Sequence, residues 1–95
     1  MEKGLIELER LTKALANRRR LAILRYLKKH TGVSVTEIAE EIKLSLKATS
    51  KHLGILAASD ILEKDQHGLQ MFYRISNNQR PVVKNILYIS VFTYF

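Results

Sequence analysis

Two serines eleven positions apart, Ser34 and Ser45, constrain this chain more than any other feature. Ser34-Val35-Thr36-Glu37 is a capping-box pattern, in which the serine hydroxyl accepts from a free N–H of the first turn and the glutamate reaches back. It predicts a short helix bearing Ile38, Ala39 and Ile42. Lys43 and Leu44 follow, and Ser45 then caps a further helix to about Ser59, with Ala48, Leu53, Ile55, Leu56 and Ala57 turned inward. Two helices joined by so few residues must cross at a large angle, so the second projects from the surface.

The flanking patterns complete an order of elements. Leu5, Ile6, Leu8, Leu11 and Leu15 recur at helical spacing over about 5–16. Asn17 is suited to cap a second helix carrying Leu21, Ile23, Leu24 and Leu27. That helix ends near Lys28, Lys29 and His30, where cations suit the negative end of the dipole, and Thr31-Gly32 stops it. After Ser59 the period changes. Ile61–Lys64 and Gln70–Ile75 read as strands, with Asp65–Gly68 as the turn and Gly68 free to take a positive φ. Ser76-Asn77-Asn78 breaks the hairpin, and Pro81 suits the first turn of a last helix over about 79–95. The expectation is a single domain over 1–95, mainly α with a β-hairpin wing: a winged helix-turn-helix in the order α-α-α-α-β-β-α.

Charge points to the partner. Sixteen Lys and Arg against nine Asp and Glu leave a formal net charge of +7. A surplus of this size favours a polyanion, nucleic acid first and an acidic membrane second, with plain solubility as the ordinary alternative. No cysteine is present, which excludes disulfides and thiolate metal sites and suits a reducing cytoplasm. The start, MEKGLIELERL, is charged and amphipathic and does not read as a signal peptide. The tail VVKNILYISVFTYF is the most apolar stretch, yet it holds Lys84 and Asn85 and falls short of the roughly 18–20 residues of a spanning helix. A cytoplasmic protein with no membrane partner is expected. No nucleophile elbow, phosphate loop, paired catalytic carboxylates or metal triad appears, so an enzyme is not expected.

The N-terminal part of a projecting helix can enter a major groove and offer its polar residues to base edges. Here those residues are Ser45, Lys47, Thr49, Ser50 and Lys51, with His52 behind them on a packing or phosphate-contacting position. Lysine can donate to guanine, and hydroxyls to several bases. Lys64 and Arg74 on the hairpin can reach phosphates or the minor groove. Arg18, Arg19 and Arg20 open a helix whose dipole they oppose; a solvated face and a contact with flanking DNA backbone stand as equal readings, with Arg20 partly structural. His30 and His67 read as solvated. Glu37, Glu40 and Glu41 suit capping and argue against the third helix being the one that faces DNA.

These pieces resemble the ArsR/SmtB-type winged-helix repressors, over roughly Leu11 to Ser76. LTKALANRRRLAILRYL is similar to that family's entry helices, with Arg20 at its recurrent arginine. VSVTEIAEEIKLSLKATSKHLGILAASDIL follows its helix-turn-helix, with SKHLGIL the most specific piece, and KDQHGLQMFYRIS looks like its wing. Three departures stand out. Asn17-Arg18 replaces the usual Asp-Pro, Leu46 stands where glutamine is frequent, and Asp60 replaces the usual glycine before the strand, where it can adopt the left-handed conformation at some strain. Family sensors often place two cysteines on the third helix; the matching residues here are Ser34 and Thr36. Between Asn77 and Phe95 there is no Asp, Glu, His or Cys for the family's other metal site. No metal and no cofactor are therefore expected.

The resemblance implies a homodimer that reads double-stranded DNA and represses by occluding an operator. Its interface would use the outer helices, through Leu5, Leu8 and Leu11 of the first and Val83, Ile86 and Leu87 of the last. Half-sites would then lie about one helical turn (~10 bp) apart. A winged helix used for protein contact, and a nonspecific architectural DNA binder, are the rival readings.

Overall fold

A computed structural model describes residues 2–77 together with Lys84. The elements run α1 (Lys3–Leu15), α2 (Arg18–Lys29), β1 (Val33–Ser34), α3 (Val35–Ile42), α4 (Leu46–Ala58), β2 (Leu62–His67) and β3 (Gln70–Ile75). This is the expected winged helix-turn-helix through β3. Lys84 is helical, while the rest of the expected last helix, including Val83, Ile86 and Leu87, lies outside the described residues.

Each expected cap forms. Asn17 accepts from the N–H groups of Arg19 and Arg20, Ser34 from that of Glu37, and Ser45 from that of Ala48. The capping box at Ser34 differs in detail: the Glu37 carboxylate accepts from the Ser34 hydroxyl at 3.4 Å. One strand escaped the sequence reading. Val33 and Ser34 pair antiparallel with Tyr73 and Phe72, so the sheet has three strands in the order β1-β3-β2. The wing is also longer than expected. Strand β2 continues to His67, which pairs with Gln70, leaving Gly68 and Leu69 as a two-residue loop. Gly68 takes φ +63° while Leu69 keeps a negative φ, the pattern of a type II′ turn, which requires glycine first.

The core is built from Leu11, Leu15, Ile23, Leu24, Leu27, Ile38, Leu53, Leu56 and Ile61, joined by Val33, Leu62 and Tyr73 from the sheet. Its composition explains why α3 and α4 hold their crossing. Ile38, Leu53 and Leu56 are completely buried, so the inner faces of both helices are committed and their outer faces are left to solvent. Between them Lys43 takes φ 57°, and the Leu44 N–H closes on the Ala39 carbonyl at 3.1 Å. Helix α4 ends in the same way. The Ile61 N–H bonds the Leu56 carbonyl, the Asp60 N–H bonds the Ala57 carbonyl, and Asp60 sits at φ 60°. The left-handed residue anticipated at Asp60 is thus present without a glycine to relieve it.

Candidate nucleic-acid interface

Helix α4 presents one continuous outward face. Leu46, Ser50, Gly54 and Ala58 recur every four residues, with Lys47 and Lys51 beside them, and all six are exposed. The lysines stand clear of the fold and form no ion pair among the described residues. Ser45 is exposed at the head of the helix, with its hydroxyl accepting from the Ala48 N–H at 3.1 Å. The first turn therefore keeps further backbone N–H groups directed outward, as an anion-binding helix start requires. Gly54 weakens a helix interior by about 1 kcal/mol relative to alanine. Nothing in the fold requires it, since a Cβ there would meet no atom within 4 Å. The missing side chain keeps the middle of the outward face low.

Thr49 is a correction. Expected among the DNA-facing residues, it is completely buried, and its hydroxyl has no hydrogen-bond partner among the described residues. Its position follows from the helical period: Thr49, Leu53 and Leu56 lie on the side opposite the lysine stripe. The polar character of threonine misled the sequence reading, because the residue stands where an aliphatic side chain would pack.

The arginine run is structural at Arg20, as expected, and also at Arg19, which was not foreseen. Arg20 donates to the carbonyls of Ala14 and Lys13 at the end of α1, and its Nη1 lies 3.2 Å from His52 Nδ1. Arg19 donates to the Ile42 carbonyl at the end of α3, at 3.4 Å. Cations that oppose the dipole of α2 thus satisfy the exposed carbonyls at the C-terminal ends of two neighbouring helices. A guanidinium can only donate, so His52 Nδ1 accepts and the ring is neutral. Burial, followed by the charges of Arg20, Lys51 and Arg19, holds His52 below its usual value of 6.5. His52 is half-buried and packs behind the exposed stripe, and Arg20 serves as a clamp between α1 and α4.

The wing is less basic than its sequence suggests. Arg74 Nη1 lies 2.7 Å from a Glu63 oxygen, and its Nε lies 3.4 Å from Asp65. The register explains this, because Glu63 faces Arg74 directly across the hairpin and Asp65 is the diagonal neighbour. Arg74 is therefore paired within the wing, at the partly exposed surface of the hairpin. The Ser76 hydroxyl foremost, then Arg74 and the Asn77 N–H, hold the Glu63 carboxyl below the usual range. Lys64 remains exposed, and the tip carries Gln66, His67 and a fully exposed Leu69.

Of the expected dimer residues, Leu5 and Leu8 are exposed at 51% and 41%, together with Ile6 at 55%. Leu11 is a correction, since at 5% exposure it packs into the chain's own core. A second basic surface was missed. An open groove of about 660 Å³ runs along α2 to the turn before α4, lined by Arg18, Arg19, Arg25, Lys29 and Lys43 against the single acid Glu41. Its cations at i, i+7 and i+11 of α2 were visible as a helical stripe, but their meeting with Lys43 required the tertiary fold. Ser34 caps α3 and Thr36 is exposed; among the described residues no three His, Cys, Asp or Glu side chains gather as a metal site. No helix among the described residues is long and apolar enough to cross a membrane.

A projecting helix with an uncovered basic stripe, set in a helix-turn-helix and followed by a hairpin, defines a winged helix-turn-helix DNA-binding protein. Residues 15–65 match the family model described as a helix-turn-helix domain. The transcriptional repressor PagR of Bacillus anthracis is 34% identical over 77 residues, covering 81% of this chain and 74% of PagR. The transcriptional activator HlyU of Vibrio cholerae is 32% identical over 93% of this chain and 81% of its own length, and its structure superposes with a TM-score of 0.77. A winged helix-turn-helix DNA-binding domain from Mycobacterium bovis, a possible ArsR-family transcriptional regulator solved in solution as a homodimer, shares 30% identity and a TM-score of 0.76 over 90% of this chain and 75% of its own. The chain belongs to the ArsR-type family of winged helix-turn-helix transcriptional regulators.

Proposed function

We propose that this chain acts in the cytoplasm as a homodimeric repressor that occludes an operator in double-stranded DNA, without metal or cofactor. The observation that carries the reading is the outward face of α4, where Lys47, Ser50 and Lys51 stand exposed while every large side chain on the opposite face is buried. In this arrangement α4 lies in the major groove, Lys47 and Lys51 donate to base edges or phosphates, and Lys64 of the wing meets the backbone. Arg18, Arg19 and Lys43 flank the start of α4 and are placed to meet the phosphates beside the groove. The uncovered Leu5, Ile6 and Leu8 of α1 supply an apolar strip for a second copy. A two-fold dimer then reads a near-palindromic site.

The test is binding to the DNA upstream of the chain's own gene and to scrambled duplex across a salt series. A regulator shows a gap of several kcal/mol between the two. The salt slope without the gap identifies an architectural binder, and neither identifies a protein-contact module. Repression follows the likeness to PagR, while HlyU is an activator. A reporter under the bound promoter decides between them: deleting the gene raises expression for a repressor and lowers it for an activator. Leu8→Lys, placed on the exposed strip, should convert the dimer to monomer by sedimentation; an unchanged dimer would remove α1 from the interface.

A further inference from the structure

We infer that Leu46 reads a thymine, through apolar contact of its side chain with the C5-methyl group in the major groove. The inference rests on the DNA-binding reading above and specifies one element of its sequence preference. Leu46 is the first residue of α4 and 53% exposed, although the core leucines of the same helix, Leu53 and Leu56, are completely buried. It is continuous with the stripe of Lys47, Ser50 and Lys51, and it occupies the helix end that reaches deepest towards base edges. Its backbone is fixed on both sides: Lys43 holds the left-handed turn, and Ser45 caps the helix through the Ala48 N–H. More than half of this large apolar side chain is left open to water at that point. The chemistry it matches in a major groove is the one apolar group displayed there, the thymine methyl. Lysine and serine on the same face supply the hydrogen bonds, so the leucine adds a contact of a different kind and separates thymine from cytosine, which lacks the methyl.

The test replaces each thymine of a half-site with deoxyuridine, one at a time, which removes the methyl and leaves base pairing intact. The operator is first selected from random duplexes with the full chain. Affinities are measured by fluorescence anisotropy for the unaltered protein and for Leu46→Ala, with circular dichroism confirming that the variant is folded. One thymine should respond, with binding weakened about fourfold, the ratio for one buried methyl-sized group. Leu46→Ala should lose that response while keeping its discrimination at the other positions. If Leu46→Ala retains the full response, or no thymine responds, Leu46 does not read a methyl even though the operator is bound. If the selection yields no preferred sequence, the DNA-reading function itself fails, and the role of Leu46 fails with it.

Discussion

Replacing Thr49 with valine separates the core side of α4 from its DNA side in one experiment. The hydroxyl is fully buried and has no partner among the described residues, and the Ser45 carbonyl one turn earlier already accepts from the Thr49 N–H at 3.0 Å. A buried polar group without a hydrogen bond costs roughly 1–3 kcal/mol. Valine has the same shape with a methyl in place of the hydroxyl, so the core is neither over-filled nor hollowed. Both residues are β-branched and nearly equal in helix propensity, so the backbone terms cancel. The expected gain is about 1–2 kcal/mol, or a rise of roughly 4–8 °C in Tm per kcal/mol for a domain of this size. The assay is urea or thermal unfolding at fixed protein concentration, since dimerisation makes Tm concentration-dependent. Affinity for the operator should stay where it is. A loss of stability would show that the hydroxyl is satisfied in solution, and a loss of operator affinity with stability intact would return Thr49 to the DNA face.

Other outcomes follow from the same geometry. Asp60→Gly should stabilise by about 0.5–1 kcal/mol in unfolding experiments, the relief of the left-handed conformation less the entropy of a new glycine; a destabilised variant would mean that the Asp60 side chain contributes a contact of its own. Lys51→Ala should weaken operator binding by roughly 1–3 kcal/mol if it reads a base, and unchanged affinity would remove it from the interface. On the wing, Lys64→Gln should lower the salt slope of binding by about 1, and Asp65→Asn should steepen it by unmasking Arg74; an equal drop on Arg74→Gln would show that its carboxylate partners do not shield it. Stability should fall as pH drops below 6.5, the usual value for histidine. In that range the unfolded chain takes up a proton that folded His52, with its lowered pKa, resists. His52→Gln keeps an acceptor for Arg20 without titrating and should flatten that slope in unfolding curves taken between pH 7 and 5.

How far the sequence revealed this molecule depended on whether the signal was local. The caps at Asn17, Ser34 and Ser45 were legible because a side chain and a backbone N–H two or three residues on are all they involve. The two-residue strand β1 was not, because only the distant β3 makes Val33 and Ser34 a strand. Thr49 was misplaced because its chemistry was read ahead of its position in the helical period. The ion pairs of Arg74 were not legible because they depend on the register with Glu63, which the shorter sequence assignment of β2 left open. The lysines of α4 were legible because the turn before Ser45 fixes which way the helix points. The arginines of α2 were ambiguous for the opposite reason: the carbonyls they satisfy belong to α1 and α3.

If α4 reads DNA, its outward face meets the duplex. The most direct measurement is an amide NMR map of the full chain with and without its operator. The largest shifts should fall on residues 45–51, with smaller ones at Lys64 and around Arg18 and Lys43. If those amides stay still while the duplex binds through another surface, α4 is not the helix that meets DNA.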